Sequence, residues 1–226
     1  MNVIGDKIAS IKGLIPKQVR LVAVSKHQPI EAIQEAYDAG QRIFGENKAM
    51  EMKEKYEALP KNIHWHYIGH LQTNKVKYIA PFVKLIHSVD SLKLLKEINK
   101  QALKNERIIS CLLQFHIASE ETKFGLNAEE AYELLKSPEF KELKNIRITG
   151  IMGMASNTFD NNLIRAEFQY LHTIYQNLQF DFFLNDIFFR ELSMGMSGDY
   201  QIAVQEASTL IRIGSSIFGV RSNTSI

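Results

Sequence analysis

Hydrophobic positions along this chain alternate between two textures. Short, nearly continuous apolar runs, the mark of strands buried on both faces, are separated by stretches in which apolar residues return every three or four positions, the mark of amphipathic helices. The first run is Leu21 to Lys26, LVAVSK. Ahead of it, Val3, Ile4, Ile8 and Ile11 fall at helical spacing and predict a leading helix over residues 2–12. Behind it, Pro29 opens a second helix, PIEAIQEAYDAG, that Gly40 stops. RIFGEN then predicts a strand, KAMEMKEKYEALP a helix, IHWHYIGH a strand, QTNKVKYIAP a short helix ending at Pro81, and FVKLIHSVD a fourth strand. In SLKLLKEINKQALKN, Leu92, Leu95, Ile98 and Leu103 share one face, and Ser91 or Asp90 caps the helix. RIISCLLQFHI predicts strand five, AEEAYELLKSP a helix, NIRITGIMGM strand six, and about Asn161 to Leu178 a long helix. Strand seven is placed near Glu191 to Ser193, followed by the helix GDYQIAVQEA, the strand TLIRIG and a helical turn, SSIFGV.

Strands and helices alternating in this way predict an α/β fold, a closed (β/α)8 TIM barrel with an extra N-terminal helix. An open doubly wound sheet is the alternative. It usually carries a glycine-rich turn after its first strand, and Ser25-Lys26-His27-Gln28 contains no glycine. A length of 226 residues suits one such barrel, and no linker interrupts it, so residues 1–226 are taken as a single domain. The net charge of +2 argues against a surface built for nucleic acid or anionic membrane. The amphipathic amino terminus lacks the apolar core of a signal peptide, and no stretch is long enough to span a bilayer. With one cysteine no intramolecular disulfide can form, which points to a reducing cytoplasm. Cys111, inside ISCLLQF, is expected to be buried in a strand rather than to act as a nucleophile.

A barrel gathers its chemistry at the C-terminal ends of its strands. In chain order those ends hold Lys26, Glu46-Asn47, Gly69-His70, Ser88 to Asp90, His116, Met152 to Met154, Ser193 to Asp199 and Gly214 to Ser216. Lys26 stands where a buried strand emerges: desolvation there favours a neutral, nucleophilic amine suited to Schiff-base chemistry, whereas a lysine that only ends a strand points into water. SMGMSGD after strand seven and IGSS after strand eight offer small residues, hydroxyls and backbone N–H groups in the quadrant where barrels often bind phosphate. Arg212 shares a strand face with Leu210 and Gly214, so it needs an anion or acceptor inside the barrel wall, either from a ligand or from a neighbouring carboxylate. A lysine, a phosphate cup and an arginine together fit an aldehyde cofactor with a phosphate tail, pyridoxal 5'-phosphate.

The blocks VAVSK, FGEN, HYIGHLQTNK, HSVD, KFGL (Lys123 to Leu126), GIMGM, LSMGMSGD and RIGSSIFG resemble, in order and spacing from about Leu21 to Arg221, the signatures of the YggS/PROSC family of pyridoxal phosphate homeostasis proteins. The resemblance implies a monomeric barrel of the alanine racemase N-terminal, fold type III kind. It implies that Lys26 forms a Schiff base with the cofactor, that Ser193, Met194, Gly214 and Ser215 hold its phosphate, and that Arg212 faces the pyridine nitrogen. Asn47, His70 and Met152 would line the pocket around the ring. Departures from the family pattern are KAME after FGEN, His116 where an asparagine is common, Ala207 for a frequent glycine and Ser216 for a frequent alanine.

The function this implies is binding and release of pyridoxal phosphate for intracellular homeostasis, with no catalytic residues, and with PLP-dependent apoenzymes as acceptors. An amino-acid racemase is the alternative; two-base racemisation needs a second acid/base, which racemases with this barrel draw from an added domain, and only RSNTSI follows strand eight and its short turn. A Schiff-base aldolase acting on a phosphorylated sugar would also use a barrel lysine. His64, His66 and His70 cluster in sequence, but without a carboxylate in the block no metal site is expected. The basic run around Lys75, Lys77 and Lys84 is read as a solvated face.

Overall fold

A computed structural model describes residues 3–119 and 124–219. Eight parallel strands close on themselves in sequence order: β1 (Arg20–Val24), β2 (Ile43–Glu46), β3 (His64–Tyr67), β4 (Leu85–Val89), β5 (Ile109–Phe115), β6 (Ile146–Gly153), β7 (Glu191–Ser193) and β8 (Leu210–Ile213). Among the described residues ten α-helices accompany them: α1 (Val3–Leu14), α2 (Ile30–Asp38), α3 (Ala49–Ala58), α4 (Val76–Ile79), α5 (Leu92–Lys104), α6 (Ala128–Lys136), α7 (Pro138–Lys141), α8 (Asn161–Phe182), α9 (Tyr200–Gln205) and α10 (Ser215–Phe218). The predicted barrel and its leading helix are therefore present. Lys123, Val220 and the RSNTSI tail lie outside the described residues.

Strand ends are where sequence and structure part. β1 stops at Val24, so Lys26 belongs to the turn beyond it, and β3 stops at Tyr67, leaving Ile68 to His70 in a loop. Burial falls off past the last ladder bond, with Lys26, Ile68 and Gly69 half-buried and His70 exposed. One helix was not anticipated, α7, set off from α6 by Ser137 and opened by Pro138, and α8 runs one turn beyond the expected Leu178.

The two faces of each strand build different cores. Outward side chains such as Phe44, Trp65, Ile86 and Ile151 join the helices in the large outer core. Inward, Val22, Leu85, Leu112, Met152 and Leu210 form a compact apolar layer inside the barrel. The α5 face predicted from its leucines is mostly as expected, with Leu95 and Ile98 fully buried, but Leu103 is exposed. Ser91 caps that helix by accepting from Leu94 N–H at 3.3 Å, and Asn127 and Glu130 form a reciprocal capping box on α6. Cys111 is buried as expected, and burial pushes its thiol up.

The closure at β7 is narrow, since Ser193 pairs with Leu210 as the sole register pair with β8. Side chains reinforce it: Ser208 Oγ donates toward the Met194 carbonyl at 2.8 Å and Leu192 N–H donates to Thr209 Oγ1 at 2.8 Å. On its other flank β7 runs against Gly150, whose φ is +150° and where a Cβ would sit 1.8 Å from the Glu191 carbonyl oxygen. Gly150→Ala must therefore push two strands apart. We expect it to cost about 3 kcal/mol in a urea melt, with a lower midpoint and an unchanged slope; a variant as stable as the parent would show that β7 yields freely.

Candidate functional site

The strand ends surround a cavity of about 690 Å³ at the C-terminal mouth of the barrel. Its wall includes Lys26, Asn47, His70, Arg212, Gly214 and Ser215, six of the nine residues singled out from the sequence. A cavity of this size suits a small organic molecule.

Lys26 reaches that wall from a tightly held turn. Ser25 N–H still pairs with Gly45 O at 3.0 Å, and Gln28 N–H closes back on Ser25 O at 3.0 Å. Between them His27 takes φ 62°, a left-handed conformation that costs a non-glycine residue roughly 1 kcal/mol. The turn is clamped from outside the barrel. Lys55 on α3 is 5% exposed and its Nζ donates to Ser25 O at 2.7 Å, Glu46 Oε1 at 2.8 Å and Glu51 Oε1 at 2.7 Å. Glu51 Oε1 also accepts the strained His27 N–H at 2.6 Å, and Glu46 Oε1 accepts from Ser25 Oγ at 2.6 Å. Desolvation of the fully buried Glu46 pushes its carboxyl above the usual range, against the pull of Lys55 and Ser25. Glu46 was visible at the rim, whereas Lys55 was hidden within a charged helix; its i,i+4 spacing from Glu51 was the available signal.

Asn47 follows β2, and its buried Oδ1 has no hydrogen-bond partner among the described residues. Gly69 makes room for it, since a Cβ there would lie 2.7 Å from Asn47. Tyr67 Oη lies 3.0 Å from Asn47 O and 3.2 Å from His70 O, tying the two loops together, and burial pushes its phenol up to about 12. His70 stacks on Phe124 with ring centres 4.2 Å apart, and its Nδ1 lies 3.4 Å from Asp90 Oδ2. Phe124 and Gln114, whose Nε2 donates to Phe124 O at 2.8 Å, complete this side of the wall.

Across the cavity, Arg212 is 4% exposed. It donates to Ser193 Oγ at 2.6 Å and to Gly153 O at 3.0 Å. Burial lowers its guanidinium to about 10, with Asp199 acting in the other direction. Among the described residues no carboxylate forms an ion pair with it, so of the two readings open for Arg212 the neighbouring carboxylate does not apply. Gly214 N–H meets Ser197 Oγ at 3.4 Å, which joins the loop after β7 to the one after β8. Ile217 and Phe218 both donate to Gly214 O, leaving the N–H groups of Ser215 and Ser216 ahead of the first intrahelical bonds.

Three expected site residues do not line the cavity. Met152 lies in the apolar layer within the barrel, and Met154, one pleat further on, takes the wall position. Ser193 is the last residue of β7 and its hydroxyl is engaged below the cavity by Arg212 and His87. Met194 is fully buried in the outer core and its N–H donates to Leu210 O. The wall is instead formed by Met196, Ser197 and Gly198 of the same SMGMSGD block. Nor do His64, His66 and His70 come together: His66 contacts His87 and His70 contacts Asp90. Among the described residues no group of three or more candidate ligands could hold a metal ion.

A family model described as "Alanine racemase, N-terminal domain" matches residues 2–222. A pyridoxal phosphate homeostasis protein of Aquifex aeolicus is 38% identical over 203 residues, 89% of this chain and 87% of that one. Another, of Schizosaccharomyces pombe, is 37% identical over 91% of this chain and 85% of its own. Among solved structures, PipY of Synechococcus elongatus without PLP superposes with TM-score 0.89 at 35% identity, over 96% of this chain and all of that one. PipY with PLP bound gives 0.84. Alanine racemase of Bartonella henselae shares the fold at TM-score 0.70 and 17% identity, this chain covering 61% of it.

The clamp around Lys26 makes a checkable demand. Lys55→Met strands the buried Glu46 carboxylate and should cost about 3–5 kcal/mol at neutral pH. A raised carboxyl favours the protonated folded state, so its contribution to stability is present at low pH and lost as pH rises through the folded value. Losing Lys55 raises Glu46 further, so the deficit of the variant should shrink toward acid pH, and Glu46→Gln should recover part of it. Urea melts at several pH values decide this; a pH-independent deficit would rule out Glu46 as the stranded group.

Proposed function

Because this chain belongs to the alanine racemase N-terminal domain family and, within it, to the pyridoxal phosphate homeostasis proteins, we propose that its barrel-mouth cavity holds pyridoxal 5'-phosphate, with Lys26 as the bonding amine. The observation that carries this reading is one cavity walled at once by the clamped Lys26 amine, the buried Arg212 guanidinium and the joined Ser197 and Gly214–Ser215 loops. The unpartnered Asn47 Oδ1 on the same wall fits a ligand that brings its own donor. Pyridoxal phosphate supplies an aldehyde that condenses reversibly with a primary amine, and Lys26 is the lysine on this wall among the described residues.

Each wall group then has a role. Ser197, Gly214 and Ser215 would hold the phosphate through a hydroxyl and backbone N–H groups, a task that passes to Ser197 because the hydroxyl of Ser193 is already engaged. Arg212 would hold the ring nitrogen. Lowered only to about 10, it keeps its proton at neutral pH and so offers that nitrogen a hydrogen bond without a transferable proton. Asn47 and His70 would bound the ring. A site that withholds the proton from the nitrogen weakens electron withdrawal by the cofactor, which suits storage and hand-over better than turnover.

On this reading one barrel carries the whole function: a monomer in a reducing cytoplasm exchanging its cofactor with PLP-dependent apoenzymes, with no amino-acid turnover. The relatives' printed names support the homeostasis role. No helix among the described residues is long and apolar enough to cross a membrane.

Incubation with pyridoxal phosphate should give a yellow protein that survives gel filtration. Borohydride reduction should then trap one adduct per chain, mapped to Lys26 by mass spectrometry, and Lys26→Ala should stay colourless. Single-enantiomer amino acids should emerge unchanged after long incubation with the loaded protein. An adduct elsewhere would overturn the assignment, and racemised amino acid would restore the racemase reading.

A further inference from the structure

Beneath Arg212 the barrel interior holds a line of polar groups with no stated task. His66 Nδ1 lies 2.9 Å from His87 Nε2, His87 Nδ1 lies 2.9 Å from Ser193 Oγ, and Ser193 Oγ lies 2.6 Å from an Arg212 amine nitrogen. All four side chains are buried, with His87 and Ser193 fully so. They come from four different strands, β3, β4, β7 and β8. We propose that His66, His87 and Ser193 are positioning residues for Arg212, a polarised relay in which both imidazoles are neutral and carry their proton on Nε2.

The direction follows from the one member that has no choice. A guanidinium only donates, so Arg212 gives a proton to Ser193 Oγ. Its oxygen could accept a second bond, but the hydroxyl's one hydrogen has no acceptor among the described residues other than His87 Nδ1, so it goes there. That nitrogen, as the acceptor, carries no proton, so a neutral His87 is protonated on Nε2 and donates to His66 Nδ1. His66 is left with its own proton on Nε2. Every bond in the line is then satisfied once, running from the cavity wall into the barrel.

Charge keeps it so. Protonating either ring would first bury a charge without water, and it would also set that charge near other cations: Arg212 and Arg20 for His87, Arg20 and Lys84 for His66, with the largely neutral His64 nearby. Glu191 lies on the far side, where it pairs with Arg20. Burial accordingly holds His66 down at about 3 and His87 well below the ordinary histidine range. The relay matters to the site because Ser193 Oγ and Gly153 O together fix the guanidinium plane, leaving its remaining N–H groups for the cavity that Arg212 lines. This last consequence rests on the cavity taking pyridoxal phosphate, whereas the proton positions do not.

Two measurements separate those parts. In the ligand-free protein, ring-nitrogen correlation NMR on 15N-histidine, with His66→Gln and His87→Gln used for assignment, should show both rings neutral and Nε2-protonated between about pH 6 and 8. A proton on Nδ1 of either ring, or a charged ring in that range, overturns the relay. In equilibrium dialysis against pyridoxal phosphate, Ser193→Ala should weaken binding about tenfold and shift the absorbance of the bound chromophore, while Ser193→Thr, which keeps the hydroxyl, should restore both. An alanine variant that binds and absorbs like the parent overturns the positioning role. If the parent itself takes up no pyridoxal phosphate, the cavity reading fails and the NMR result alone decides the relay.

Discussion

A buried positive charge whose hydrogen bonds go to neutral acceptors, with no carboxylate in an ion pair with it among the described residues, is the constraint around which this barrel interior is arranged. Arg212 projects from the last strand into a space that in most barrels would be filled by aliphatic layers. Here the aliphatic layer is reduced to Val22, Leu85, Leu112, Met152 and Leu210. The space around the guanidinium is given to groups that accept from it without being charged, a serine hydroxyl and a glycine carbonyl. Neutral acceptors take two of the donors, and burial lowers the guanidinium to about 10 against the pull of Asp199. They also leave it available to whatever enters the cavity, which a salt bridge would have prevented.

The Lys26 amine, beyond the end of the neighbouring strand β1, is handled by the reverse strategy. Lys26 sits in a turn whose next residue is strained, and that strain is held by charge: Lys55 and Glu51 grip the backbone of Ser25 and His27, with Glu46 buried between them. This cluster lies between β2 and α3, outside the barrel wall, whereas the groups around Arg212 lie within it. The amine and the guanidinium are therefore positioned by networks that share no side chain. The Lys26 amine can be held firmly without an ion pair that would compete for Arg212.

Much of this was legible in the chain itself, and what was not has a physical reason. Alternating texture revealed the strands and their order because short apolar runs bounded by turn residues alternate with longer stretches of helical period. The chemistry-bearing strand ends were legible because the fold collects them at one mouth, which placed Lys26, Asn47, His70, Arg212, Gly214 and Ser215 on the cavity wall. Errors came at single-residue resolution. Met152 and Ser193 are one pleat too deep, and Met154 and Ser197 stand in their places, because a strand's final inward residue cannot be told from the first loop residue by apolarity alone. Lys55 was illegible for another cause: in a run of lysines and glutamates, nothing local says which charge folds under. The His66 and His87 contact joins residues from separate strands, and the barrel's closure, not their spacing, brings them together.

These displacements bear on how the cavity works. Had Ser193 been a ligand-facing hydroxyl, Arg212 would have lost its acceptor each time a phosphate arrived, and the two ends of a bound cofactor would have competed for one group. Placing the hydroxyl below the guanidinium and a second serine, Ser197, on the wall divides the tasks. One serine orients the cation permanently, and the other, with the backbone of Gly214 and Ser215, stays free for an anion. A protein whose proposed task is to hold a cofactor and let it go benefits from this separation, because emptying the cavity then leaves the buried hydrogen bonds of Arg212 intact.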